Sequence, residues 1–329
     1  TIVMFQKLTA LDASSNLLSG TIPTEIGRLT LLKLVAIQDN ELTGTMPTEL
    51  GKLSELQFLF FEMNKLSGTF PSEFGNFANL RALHVFDNER LSGRLEYVLD
   101  LLPAGLTVLD ASITAISGRI PSTIGKFTAM QAFGIQVAKL TGSLPSEIGQ
   151  LSDLIGLGVG DNELHGSIPS EIGRLSALLV LLLSKNQLTG TIPTVVGELT
   201  DCIGVDMYGN FLSGTLPTEF GKLSKLQNLD LGVNILNGTV PSEIGQSSSL
   251  LGLSLQFNQL HGTLPSELGL LGAATHLEVG SNNLDGTLAS EFVGWRSMVF
   301  LDLHGNMFTG SPSVLANLPL LRLLFIDGT

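Results

Sequence analysis

The sequence predicts an α/β solenoid, a stack of about thirteen turns that each hold one short strand and one short helical segment. Three regularities predict it. Asparagines recur at Asn16, Asn40, Asn64 and Asn88, and again at Asn162, Asn186, Asn210, Asn234, Asn258, Asn282 and Asn306, in steps of 24 residues. Glycine follows four places later, as at Gly20, Gly44, Gly166, Gly190, Gly214 and Gly238, and proline three places beyond that, as at Pro23, Pro47, Pro169 and Pro193. Apolar residues stand eight, five and three places before each asparagine, as Leu226, Leu229 and Leu231 do before Asn234. A chain of 329 residues would by length alone suggest two domains. Tandem repetition overrides that expectation and makes residues 1–329 one repeat domain.

Each position in the unit has a physical task. The apolar residues five and three places before the asparagine lie two apart, so they point to one face of a strand, inward. Residues four and two places before it point outward. Strands of successive turns stack in parallel about 4.8 Å apart. The asparagine sits buried at the exit from the strand, where its amide supplies two donors and an acceptor to backbone groups of its own and the adjacent turn. Glycine permits the tight path that follows, and proline opens a helical segment on the opposite side. There Thr24, Thr48, Ser146 and Ser170 are placed to cap the first turn, and Glu25, Glu49, Glu147 and Glu171 put negative charge at the positive end of its dipole.

The unit Leu-xx-Leu-x-Leu-xx-Asn-x-Leu-x-Gly-x-Ile-Pro, seen in Leu-Thr-Gly-Thr-Ile-Pro-Thr at 188–194, resembles the plant-type class of leucine-rich repeats. Its Pro-Ser/Thr-Glu-Ile-Gly form is similar to repeats of algal proteins of the diatom kind. The resemblance covers essentially the whole chain. It implies a right-handed superhelix with a concave parallel β-sheet, an extra short strand at Leu-x-Gly-x-Ile-Pro and mostly 3-10 or irregular turns on the convex side. It also implies an extracellular or cell-surface binding module of the receptor-ectodomain or adhesion type, without catalytic activity. Members of the class close their solenoids with cysteine-paired caps. With Cys202 as the one cysteine, and with Thr1 entering part-way through a turn and Leu323 to Thr329 ending in a strand, both caps are absent and a longer polypeptide is expected.

The pattern breaks in a zone at 89–138. From Asn88 to the equivalent Thr114 the step is 26, and the next turn has Ala138 in the asparagine slot. Two successive turns thus lose the buried amide. Repeat drift explains this; so does a loop placed for binding, because insertions in solenoids collect on one face.

Composition narrows the function. A net charge of −13 disfavours nucleic acid and anionic membranes, both of which select clustered Lys and Arg. No apolar run approaches the length of a membrane span, and Thr1 to Phe5 carry no secretory signal. There is no glycine-rich phosphate loop, no nucleophile elbow and no His-Cys pair. The acidic pairs are expected to lack a pocket in which burial raises a pKa, so no enzyme, cofactor or metal is expected. Cys202 fills the apolar slot of Leu226 and reads as an inert core residue.

Binding should therefore lie on the outward rows. Phe58, Phe60, His84 and Phe86 fall in adjacent turns as an aromatic patch that no core requires, although stacking along the sheet would also use them. Gly156, Gly158 and Gly160 leave a bare stretch open to another backbone. Asp206 and Asp230 are lateral neighbours, as are Glu278 and Asp302, with Tyr208, His276 and His304 nearby, and such pairs suit a basic partner. The expected ligand is a protein or peptide, apolar over the phenylalanines and basic toward the aspartates. Two other classes compete with it. The Ser19/Thr21, Thr43/Thr45, Ser67/Thr69, Thr189/Thr191 and Ser213/Thr215 pairs form hydroxyl columns resembling an ice-binding surface, and the repeat surface alone would serve a structural or adhesive cell covering. Asn237-Gly238-Thr239 is a glycan acceptor sequence, which fits secretion.

Overall fold

The computed structural model of the chain describes residues 5–327. Thr1 to Met4, Gly328 and Thr329, where the open ends of the repeat array were expected, lie outside the described residues. The chain divides into two compact units, Thr1–Leu164 and His165–Thr329.

In the first unit the strands Ala10–Asp12, Leu34–Ala36, Phe58–Phe60, Ala82–His84, Val108–Asp110, Ala132–Gly134 and Gly156–Gly158 lie side by side, in parallel and in sequence order. Their register advances one repeat per strand, so Val35 faces Leu59 and Leu59 faces Leu83. The Leu-x-Gly segments form a second parallel sheet, running from Ser19–Thr21 to Lys139–Thr141. In the second unit the same two layers recur. Strands Val180–Leu182 through Leu323–Phe325 make one sheet and His165–Gly166 through Met307–Phe308 the other. Opposite them run one-turn 3-10 helices such as Thr48–Lys52 and Ser242–Gln246. This is the solenoid of stacked parallel strands that the periodicity predicts.

The core is the stacked apolar ladder. Leu226, Leu229 and Leu231 are buried, as are their equivalents in neighbouring turns. Asparagines bind the turns together. The Nδ2 of Asn64 donates to Phe61 and Glu62 carbonyls at 3.2 and 3.1 Å in its own turn and to that of Ile37 at 3.0 Å in the turn before. Its Oδ1 accepts from the Leu42 amide at 3.0 Å. The residue before the asparagine slot carries a strained turn, with Ser15, Met63 and Val233 near φ +50°, as are Ile113 and Val137 before Thr114 and Ala138.

One local expectation fails. The serines and threonines after proline do not cap the 3-10 helices: proline itself occupies the N-cap, and Thr48, Ser146 and Ser170 are first helical residues. Their hydroxyls donate instead to the next residue's carboxylate, at 3.3, 3.2 and 3.3 Å for Glu49, Glu147 and Glu171. A residue one place inside the helix cannot turn its oxygen back onto the free amides of the first turn. In the irregular zone, a true α-helix, Leu95–Leu101, stands where other turns have a 3-10 segment. Its buried Leu95, Val98 and Leu99 keep the core filled across the insertion.

The glycine inside each 3-10 helix has its own reason. A Cβ on Gly245 would lie 2.3 Å from the carbonyl oxygen of Glu267 in the next turn, so these helices stack closer than any side chain permits. Two positions differ: Gly75 has only Leu101 Cδ2 near, at 3.9 Å, and Gly125 meets only the end of the Gln150 side chain within 3.0 Å.

Candidate functional site

The outward rows in the first unit bring together the predicted aromatic patch. Phe58 and Phe60 flank inward-facing Leu59 on one strand, and His84 stands opposite Phe60 in register. Ring centroids lie 6.2 Å apart for Phe58 and Phe60, 4.9 Å for Phe60 and His84, and 6.4 Å for His84 and Phe86. All four are half-buried by one another, and none reaches the core. The glycine stretch is less bare than expected. Gly158 and Gly160 are buried, and Gln136 lies over Gly158 so that a Cβ there would meet its Nε2 at 3.0 Å.

In the second unit, lateral register aligns Asp206, Asp230, Ser254, Glu278 and Asp302 in one column. The aspartates serve the fold as well as the surface. Asp206, Asp230 and Asp302 each accept the amide two residues on, from Tyr208 at 3.0 Å, Gly232 at 2.9 Å and His304 at 3.1 Å. Such a bond closes the turn into the asparagine slot. Asp110 makes the same bond to Ser112 in the first unit. Asp302 is also held by the ring of His304, with Nδ1 2.5 Å from its Oδ1.

Contrary to expectation, this column has a pocket. A shallow hollow of about 510 Å³ opens over it, walled by Val180, Leu182, Asp206, Asp230, Ser254 and Glu278 among others. Burial, followed by the bond from Gly232 acting the other way and the charge of Asp206, leaves the Asp230 carboxyl above its ordinary range. Burial and the charges of Asp230 and Asp302 raise Glu278 likewise. Burial is the larger cause in both, and the neighbouring carboxylates of the column add to it. Aromatic rings also line this end of the second unit. His276 stacks on Phe300 at 5.8 Å, and Phe300 meets Phe325 at 5.6 Å. Both phenylalanines were missed: Phe300 sits in the row six places before the asparagine, which gave Phe58 but was not followed to this turn, and Phe325 continues the row of Asp302 one turn beyond the last asparagine of the ladder, Asn306. Among the described residues, no group of three or more His, Cys, Asp or Glu is arranged to hold a metal ion.

Residues 7–29 and 55–77 match the family model Leucine Rich Repeat. Among solved structures, a leucine-rich-repeat protein of Leptospira interrogans is 31% identical, with 98% of this chain and 85% of that one covered and a TM-score of 0.73. The chain is a leucine-rich-repeat protein. It is also similar to a plant peptide hormone receptor, RGFR1, in complex with RGF2, at 33% identity and a TM-score of 0.83 over 99% of this chain and 60% of that one. A TDR receptor matches at 28% identity and a TM-score of 0.88, over 99% of this chain and 61% of that one. This chain thus spans about three-fifths of the length of either receptor. No curated protein matches it significantly by sequence.

Within this leucine-rich-repeat protein the remaining candidates fall as follows. The first hydroxyl column is spent on the backbone: Thr43, Ser67 and Ser213 donate to glycine carbonyls of the preceding turn at 3.2, 3.3 and 3.3 Å. The second column places threonine methyls over the next turn's glycine, with Thr21 Cγ2 2.8 Å from where a Gly44 Cβ would be, and leaves Thr21, Thr45, Thr191 and Thr215 exposed. Asn237 is exposed on the strand Ile235–Gly238. Cys202 is buried, 3.3 Å from the carbonyl oxygens of Leu179 and Gly204, and burial pushes its thiol up to about 11. Beside the α-helix, Arg94, Tyr97, Phe70 and Val98 border a second hollow of about 540 Å³. Arg94 there pairs with Glu96, whose carboxyl is raised by burial but brought below its ordinary value by hydrogen bonds, including those from Arg94 and the Arg119 amide. No helix among the described residues is long and apolar enough to cross a membrane.

Proposed function

We propose that this chain is a non-catalytic binding module, secreted or at the cell surface, that recognises an extended protein or peptide segment on its outward strand rows. The observation that carries this reading is the block of Phe58, Phe60, His84 and Phe86. These four rings touch one another, remain partly exposed and fill no core. Aromatic side chains clustered on a surface are what partners cover and what supplies most of the energy when they do. In the second unit the crowded carboxylates of Asp206, Asp230, Glu278 and Asp302, with Tyr208 and His304 beside them, suit a basic segment, as does the net charge of −13. The likeness to a peptide hormone receptor solved with RGF2 supports a peptide as the kind of ligand. Asn237 is then a candidate glycan site on an exposed strand.

The test is selection of a random extended-peptide library on the immobilised chain, repeated with a Phe60→Ala/Phe86→Ala variant. Loss of the enriched sequences in the variant is expected. Identical enrichment on both proteins overturns the reading.

A further inference from the structure

Glu62 is the one outward side chain of the aromatic block that the repeat does not explain. It stands two places before Asn64, in a row whose larger side chains are otherwise half-buried, and it is only 8% exposed. Its Oε2 is buried with no hydrogen-bond partner. Its Oε1 faces Nδ1 of His84 at 3.8 Å, beyond hydrogen-bond range. On the preceding turn, Gln38 has a second buried oxygen, Oε1, that also lacks a donor. Backbone register sets these side by side. The Asp39 amide donates to the Glu62 carbonyl at 3.1 Å, which aligns Gln38 with Glu62, and the Met63 amide donates to the Phe86 carbonyl at 2.9 Å, which puts Phe86 on the other side.

A buried acceptor with no donor costs roughly 1–3 kcal/mol, and a charged one costs more. Two on adjacent turns define a site that is short of donors and carries negative charge, bordered by the rings of Phe60, His84 and Phe86. Chemistry selects the occupant. A lysine ammonium is a strongly hydrated point charge, whereas a guanidinium carries five N–H donors in a plane, is weakly hydrated and stacks on aromatic faces. We infer that Gln38, Glu62 and the surrounding rings bind the guanidinium group of an arginine, an inference that rests on the peptide-binding reading above. His84 and Phe86 beside it are both half-exposed, and the proposed mode requires a side-chain rotamer change that uncovers Oε2, an adjustment common at interfaces. The aromatic patch is then a site for one cationic residue and not a purely apolar surface.

The experiment is the same library selection on the full chain, read for arginine. Enriched peptides are expected to share an arginine. Its replacement by citrulline, which keeps the shape and removes the charge, is expected to weaken binding about tenfold to the native chain and hardly at all to Glu62→Gln. Thermal unfolding verifies that this variant is folded, and Gln38→Leu, which removes the neighbouring acceptor, serves as the second variant. Peptides enriched without arginine, or an equal citrulline effect in native and variant chains, overturn the inference and leave the binding function standing. If no peptide is enriched, the binding reading falls, and N-acetyl-arginine amide against N-acetyl-citrulline amide, followed through the Phe60, His84 and Phe86 resonances, decides the site alone. Selective perturbation by the arginine compound supports it, and equal or absent responses overturn it.

Discussion

The hydroxyl of Thr114 donates to the carbonyl oxygen of Ala111 at 2.7 Å, as Asn40 does to that of Ile37, and so keeps a partner on the acceptor that an asparagine at Ala138 would also have bound from the following turn. The same hydroxyl accepts from the Ile116 amide at 3.4 Å, the donor which that asparagine would also have satisfied. The ladder therefore survives its missing amide because one side chain, reaching from the other direction, serves both groups. Removing it by Thr114→Ala is expected to cost about 1–3 kcal/mol, since two buried backbone groups lose their partner. Ala138→Asn in that background is expected to restore most of the loss, as measured by denaturant unfolding. Additive behaviour of the two changes would show that they do not share the site.

Close stacking of the 3-10 helices makes a paired prediction. Gly245→Ala forces a Cβ against the Glu267 carbonyl and is expected to destabilise by about 1–3 kcal/mol or more. Gly75→Ala meets only ordinary contact, because the next turn there carries the helix Leu95–Leu101, and is expected to be close to neutral. Equal melting temperatures for the two variants would contradict the packing argument.

The acidic column predicts a pH dependence. The folded value of Asp230 is raised, so its contribution is favourable below the ordinary aspartate value of 3.8 and is lost as pH rises through the folded value. At neutral pH the ionised group thus opposes folding. Asp230→Asn, which keeps the oxygen that accepts from Gly232, is expected to raise the melting temperature near neutral pH and to lose that advantage below the ordinary value. A variant less stable than the native chain at neutral pH would refute this.

Cys202 should be silent. A thiol buried and titrating at about 11 presents almost no thiolate at neutral pH, so an aromatic disulfide reagent is expected to react only as fast as the chain unfolds. Stoichiometric labelling of the native protein within minutes would place the thiol at a surface.

Most of the fold was legible because each task in the repeat has one cheap chemical solution. Asparagine alone supplies two donors and an acceptor in so small a volume, so Asn64 and its equivalents announce the turn. Thr48 and Ser146 misled because a capping residue and a first helical residue carry the same hydroxyl, and a one-turn 3-10 helix offers no length by which to tell them apart. The helix Leu95–Leu101 was visible only as a repeat step of 26 residues in place of 24. Of the site, the positions of Phe58, Phe60, His84 and Phe86 followed from strand alternation. The hollow at Asp230 and the missing partner of Glu62 did not, because burial of an outward residue is set by side chains from several turns at once, and no single repeat contains that information.

Photocrosslinking tests the central claim most directly. With p-benzoylphenylalanine placed at position 58 or 300 on the outward strand rows, or at Lys52 or Glu219 on the 3-10 side, the peptides selected from the library are irradiated in complex with each variant. Covalent adducts from positions 58 or 300 and none from 52 or 219 are the predicted result; adducts confined to 52 or 219 would contradict binding on the strand rows.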